Sequence, residues 1–220
     1  MTHDLIYHAL GVFQFCSFLF FIFGLFKQIQ KIRSRVGGIE EPTAVLSFQY
    51  YLASFAAIFG YFLLGSSASE IDYYTVISRF FGILLTLVII IYITKYRGLL
   101  SQKIVSTLIV FTFLFSIYLL LFNRKILENS YLLIWIYSFF ALAFLILGQL
   151  KQLKFIHASQ SSGAISKEAR LLNIMKDFSV VLFATYSNPM HNWPVIFCST
   201  FNIILCLLII NAINRYSKIK

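Results

Sequence analysis

Phe23-Gly24-Leu25-Phe26-Lys27-Gln28-Ile29-Gln30-Lys31-Ile32 returns 124 residues later as Leu147-Gly148-Gln149-Leu150-Lys151-Gln152-Leu153-Lys154-Phe155-Ile156. The Gly, the Lys-Gln pair and the final Ile are identical, and three further pairs exchange one apolar residue for another. Both copies stand where a long apolar run gives way to a basic, glycine-containing loop. A repeat of this period points to a chain built from two related halves, and in a membrane protein to a site at the interface between them.

Composition requires a membrane. The chain is 60% hydrophobic and 12% charged, against about 25% charged in soluble domains, and its mean hydropathy is +0.83. Its apolar runs are long enough to cross about 30 Å of hydrocarbon as helices. A closed barrel would need alternating strands of about ten residues, and continuous runs such as Ile83 to Ile93 do not alternate. The expected fold is an all-α membrane protein. Leu5 to Phe26 is too long for a signal-peptide core and lacks a basic leader, so it reads as a retained helix.

Hydropathy and breakers place seven transmembrane helices at about 5–27, 43–65, 73–94, 101–122, 130–151, 168–188 and 192–214. The sixth is interrupted by Asn173, Lys176 and Asp177. The repeat restores it: a helix follows the first Lys-Gln copy, so one is expected after the second. Lysines and arginines then set the orientation. Lys27, Lys31, Arg33 and Arg35 follow the first span, and Lys95, Arg97 and Lys103 join the third to the fourth. Lys151, Lys154, Lys167 and Arg170 join the fifth to the sixth, and Arg215, Lys218 and Lys220 end the chain. The other side has only Arg124 and Lys125. The N-terminus is therefore expected outside or in the lumen and the C-terminus in the cytosol, in a cell (inner) or endolysosomal membrane. The net charge of +10 reads as this topology signal rather than as nucleic-acid binding.

Seven spans with copies beginning at the first and fifth leave the fourth unpaired. The expected architecture is two triple-helix bundles, residues 1–98 and 126–220, joined by a linker helix at 99–125. One linker helix gives both bundles the same orientation, so the repeat is parallel, with its pseudo-twofold along the membrane normal.

At this point the chain resembles the PQ-loop and SWEET superfamily, whose members are 3 + 1 + 3 bundles with a Pro-Gln pair near the cytosolic end of helices one and five. Here Gln28 and Gln152 match that pair, while Lys27 and Lys151 replace both prolines. The turns Arg35-Val36-Gly37-Gly38-Ile39 and Ser162-Gly163-Ala164-Ile165-Ser166 are close to the family's Gly-hydrophobic-Ser pattern. The second half is similar to cystinosin-type transporters, whose sixth helix carries the Asp-Phe pair matched by Asp177-Phe178. Asn202 fits the asparagine that SWEET sugar transporters carry in helix seven, and Gly82 stands near the corresponding place in helix three. The resemblance implies transport of a small polar solute, an amino acid or a sugar, by alternating access between the bundles. It also admits a non-transporting receptor on the same scaffold, as the KDEL receptors are. Proline removes a helical hydrogen bond and kinks the helix. Lysine keeps it continuous and anchors at the cytosolic surface, or Lys27 and Lys151, a pseudo-symmetric pair in the motif with Gln28 and Gln152, form a cytosolic gate or anion site.

Asp177 lies about 13 Å into the sixth helix at 1.5 Å per residue. An ionisable side chain at that depth is a functional candidate by default. Asp177 is the candidate proton-coupling residue, or else a structural carboxylate paired with Arg79 or a loop lysine. Asn173 shares its helix face, and Ser199, Asn202 and Cys206 make one polar face of the seventh helix. Asn202 and Ser199 are candidate solute ligands, or amides and hydroxyls that join helices. Arg79 snorkels outward or pairs with Glu70 or Asp72, or else provides a fixed cation for a carboxylate-bearing substrate or a partner that tunes Asp177. Ser54 and Tyr61 complete the candidate substrate-binding set. Gln49, Ala53, Ala56 and Gly60 form a close-packing stripe. Cys16, Cys198 and Cys206 all fall inside spans and read as packing residues. There is no CxxC or HExxH pattern, the four histidines are dispersed, and no nucleophile stands by a base. Neither enzyme chemistry nor a cofactor is expected. No lysine lies in the seventh span, which excludes a retinal Schiff base there. The expected partners are the lipid bilayer and a small-molecule solute, and a homo-oligomer is compatible.

Overall fold

Lysine at the proline position leaves nothing to stop the first helix at residue 27, and the helix does not stop there. The computed structural model describes residues 2–36, 42–43, 46–67, 71, 73–160, 165–187 and 189–217. Helix α1 spans Thr2–Arg33, six residues beyond Lys27. It is followed by α2 (Phe48–Ser67), α3 (Tyr73–Arg97), α4 (Leu100–Phe122) and the short α5 (Arg124–Asn129). Then come α6 (Tyr131–Ser159), which runs eight residues beyond Lys151, α7 (Lys167–Ser187) and α8 (Pro189–Ser217). All eight elements among the described residues are helices. Six of them, α1 to α4, α6 and α8, are long and apolar enough to cross a membrane. The chain is a multi-pass membrane protein.

Several boundaries differ from the sequence reading. The extra helix is α5. Helix α7 exists where the repeat requires it, but Lys167, Glu168, Arg170, Asn173, Lys176 and Asp177 make it too polar to rank with the six apolar spans. Helix α2 begins at Phe48 rather than near 43. The Arg97 Nη2 donates to the carbonyls of Thr43 (2.8 Å) and Leu46 (2.6 Å), tying both residues to the end of α3. Helix α8 begins at Pro189, so Trp193-Pro194 lies within it rather than at its start. Pro189 itself occupies the first helical position, where its missing N–H costs nothing.

Helix α3 packs on α1 and α2, and α8 packs on α6 and α7. The two groups meet through α1 against α7 and α2 against α6, with α4 outside against α3. The decapeptide builds this seam. Gly24, Gln28 and Ile32 fall four residues apart, as do Gly148, Gln152 and Ile156, so each set forms one stripe along its helix. A Cβ on Gly24 would stand 3.0 Å from the Ala169 Cα, and one on Gly148 would stand 2.9 Å from the Tyr50 Cα. The glycines thus let α1 approach α7, and α6 approach α2, backbone to backbone. Four residues on, the Gln28 Oε1 accepts the Ser166 N–H at 2.9 Å, and the Gln152 Oε1 accepts the Ser47 N–H at 2.8 Å. Each serine hydroxyl in turn caps its own helix, accepting from the N–H of Ala169 (3.1 Å) or Tyr50 (3.2 Å). Each half therefore supplies the glutamine that completes the other half's helix start, a capping box made across the molecule. Ile32 and Ile156 are fully buried at the end of the stripes. Lys27 and Lys151 are exposed, off the seam. The Gly37-Gly38 and Gly163-Ala164 turns lie outside the described residues.

Candidate functional site

The seam widens into a cavity. It is lined by Phe18 and Phe21 of α1, by Tyr50, Ser54 and Tyr61 of α2, by Arg79 of α3 and by Leu142 and Leu145 of α6. Asn173, Lys176, Asp177 and Val180 of α7, with Cys198, Ser199 and Asn202 of α8, complete it. Asp177, Asn202, Asn173, Ser199, Ser54, Tyr61 and Arg79, which the sequence scatters over 149 positions, all face this one space. Its volume is about 30 Å3, room for about two water molecules. That is too little room for a sugar or an amino acid, either of which would fit only if the walls moved apart.

Helical spacing explains the convergence. On α7, Asn173 and Asp177 are one turn apart, and on α8 Ser199, Asn202 and Cys206 follow at three and seven residues; all five are buried. Because α7 and α8 pack side by side, the two polar faces meet. The Asn202 Nδ2 donates to the Asp177 Oδ2. The other carboxylate oxygen pairs with the Lys176 Nζ at 2.7 Å. Asp177 is therefore ion-paired with its own neighbour, not with Arg79 or a loop lysine. The Asn202 Oδ1 accepts from the Gln149 Nε2 at 2.7 Å, and the Gln149 Oε1 accepts from the Arg170 Nη1 at 2.9 Å. The Cys206 sulfur accepts N–H groups of Asn173 (3.2 Å) and Gln149 (3.4 Å). A continuous chain thus runs from Arg170 through Gln149 and Asn202 to Asp177 and Lys176, with every link in α6, α7 or α8.

The opposite wall is aromatic. Arg79 does not snorkel; it is 2% exposed, and its guanidinium lies 3.9 Å over the Phe18 ring and 5.6 Å from that of Tyr61. Such a sandwich is a cation–π arrangement. Arg79 Nη1 also donates to the Ser78 hydroxyl at 3.0 Å. Glu70 and Asp72, the acids named as its partners, lie outside the described residues. Gly82 makes room for this wall: a Cβ there would stand 2.9 Å from the Phe18 ring. The small-residue stripe of α2 serves its expected purpose, with Gly60 against Ser138 and Ala53 beside Gly148, both on α6. The lysines of the repeat are not part of the cavity, whereas Gln28 and Gln152 seal the seam on its Lys-Gln side.

No protein-family model and no curated protein matches the sequence. The fold does have a solved counterpart. A eukaryotic SWEET transporter superposes with a TM-score of 0.62 at 12% identity, covering 99% of this chain and 100% of that one. The fold is SWEET-like. At that identity the likeness concerns the backbone alone.

Within the SWEET-like fold, three participants escape the sequence reading. Gln149 stands where the first copy of the repeat has Leu25, and that one polar-for-apolar exchange was the available signal. Arg170 reads as a loop cation because only three residues separate it from the start of α7, yet it is 4% exposed, with its guanidinium 4.3 Å over the Tyr50 ring. Lys176 looks like an interruption of a weak span, and its pairing with Asp177 shows only in three dimensions.

Proposed function

We propose that this chain is a membrane transporter of the SWEET-like type, moving a small polar solute by alternating access. In this reading α7 is a seventh span, residues 1–98 and 126–220 are two parallel triple-helix bundles, and 99–125 links them. The Lys-Gln end faces the cytosol, as the distribution of basic residues indicates. The observation that carries the reading is the cavity itself. It is polar on the α7–α8 side and aromatic on the α1–α3 side, it lies between the two halves, and it is sealed by contacts that cross from one half to the other. Solute sites of repeat-built transporters lie at such interfaces. Asn202, Asn173, Ser199, Ser54, Tyr61 and Arg79 are the proposed solute contacts, and Asp177 is the proposed proton-coupling group. Amides and hydroxyls would orient the solute while Tyr61 and Phe18 exclude water.

A second reading, a receptor that binds without moving its ligand, draws on the unbroken course of α1 and α6 through Lys27 and Lys151. Without proline, neither helix has a built-in kink to swing. Reconstitution separates the two. Purified protein in proteoliposomes should show saturable, counterflow-competent uptake of one member of a panel of amino acids and sugars, reduced at least tenfold by Asn202→Leu. Saturable binding with no flux across the membrane establishes the receptor reading instead.

A further inference from the structure

The charges around the cavity do not balance in favour of a neutral solute. Asp177 is the one carboxylate among the described lining residues, and Lys176 already occupies it. Arg170 lies one polar layer away, joined to the cavity wall through Gln149 and Asn202 and stacked on the cavity-lining Tyr50. It is 4% exposed, and no carboxylate among the described residues is within ion-pair reach of it. Its surroundings are the Gln149 carboxamide, the Cys206 thiol and the side chains of Tyr50 and Tyr51. A buried guanidinium without a counter-ion carries a desolvation penalty of several kcal/mol, and inside a membrane such a residue marks a substrate or ion path. Guanidinium binds carboxylate and phosphate through paired, nearly parallel N–H bonds. Of its five N–H groups, one goes to Gln149 and Cys206 is a further hydrogen-bond partner, which leaves donors for an anion.

We propose that the solute carries an oxyanion group, carboxylate or phosphate, and that Arg170 receives this group as it passes between the cavity and the Lys-Gln end. Gln149 is the switch in this scheme. Its carboxamide oxygen holds the guanidinium while the path is empty and gives way to the anion when it arrives. The Arg170–Gln149 bond lies within α7 and α6, so it survives parting of the two halves, whereas the Tyr50 ring, on α2, would move away and uncover the guanidinium. This charge class rests on the transport site described above and names the chemistry of its cargo.

The test uses the full-length protein in nanodiscs, at constant ionic strength set with chloride. Thermal stabilisation is measured against succinate and inorganic phosphate, with succinamide and glucose as neutral probes. Succinate or phosphate should stabilise saturably and the neutral probes should not. Which of the two anions acts distinguishes carboxylate from phosphate. Arg170→Gln should weaken the apparent affinity about tenfold or more, with Arg170→Lys between it and the unmodified protein. Equal stabilisation by succinamide and succinate overturns the proposal, as does an anion response unchanged in Arg170→Gln, or no response to either anion at millimolar concentration. Should Arg170→Gln fail to fold, the succinate-against-succinamide comparison on the unmodified protein decides alone. The flux assay keeps the two readings apart: anion binding without flux removes transport and leaves the charge class. Flux of a neutral sugar does the reverse.

Discussion

Asp177 has two oxygens with two different partners, Lys176 on one and Asn202 on the other. Removing one member of a buried ion pair leaves the other charge uncompensated, and that costs more than losing both. Asp177→Asn is therefore expected to lower stability by about 3 kcal/mol. The double variant Asp177→Asn/Lys176→Met is expected to recover most of that loss. Thermal unfolding in detergent reads both, and a double variant less stable than the single one contradicts the pairing. Coupling separates from stability in the same pair. If Asp177 carries the proton, the double variant folds but its uptake no longer varies with external pH. The sequence shows Asp177 plainly, since a carboxylate inside a span has few innocent explanations. It does not show Lys176 as its partner. Adjacent residues on a helix point about 100° apart, and only the long lysine side chain curling back, with its Nζ 4.9 Å from the Phe21 ring centroid, brings the charges together.

At the scale of helices, the repeat has one meaning for its glutamines and another for its lysines. Gln28 and Gln152 are buried and each satisfies a serine N–H of the other half, so replacing either with leucine strands a buried donor. Each of Gln28→Leu and Gln152→Leu should cost about 1–3 kcal/mol, and because the two contacts are copies the costs should be alike. Lys27→Ala and Lys151→Ala, on the outer surface, should each stay within about 0.5 kcal/mol. Chemical or thermal denaturation of the four variants checks the contrast, and larger losses from the lysine variants would refute the assignment. The repeat is legible because it is continuous in sequence. The role of its glutamines is not, because Ser47 lies 19 residues after Gln28 while Ser166 lies 14 after Gln152. No fixed spacing links donor to acceptor, and each bond joins a glutamine to the opposite half. Helix ends differ from the sequence reading for a related reason: α1 and α6 continue past the apolar runs as basic, half-solvated turns that hydropathy does not register.

For the whole molecule, the small cavity and the crossing glutamine bonds predict where access begins. The Cys206 sulfur is fully buried, near the Lys-Gln side of the polar chain. In the unmodified protein it should resist a membrane-impermeant maleimide applied from either side. With Gln28→Leu and Gln152→Leu combined, it should become labelled from the Lys-Gln side at least several-fold faster, as mass spectrometry of the intact protein can show. Unchanged labelling would mean that the glutamine bonds do not hold the seam closed. The repeat can be read from the chain because each copy is continuous in sequence. The concentration of chemistry in one half could not, since it follows from which helices are neighbours.

That concentration bears on how work is divided. The links of the polar chain, Arg170, Gln149, Asn202, Asp177 and Lys176, all belong to α6, α7 and α8, whereas the glutamine bonds run between halves. In the proposed cycle the chain can travel intact as a single cradle, while the bonds to be broken include the two matched, neutral glutamine bonds, the Lys31 Nζ bond to the Ile165 carbonyl and the Tyr137 hydroxyl bond to the Ala56 carbonyl. In that proposal the repeated glutamines are the latch, and the unrepeated polar residues of α6, α7 and α8 are the hand.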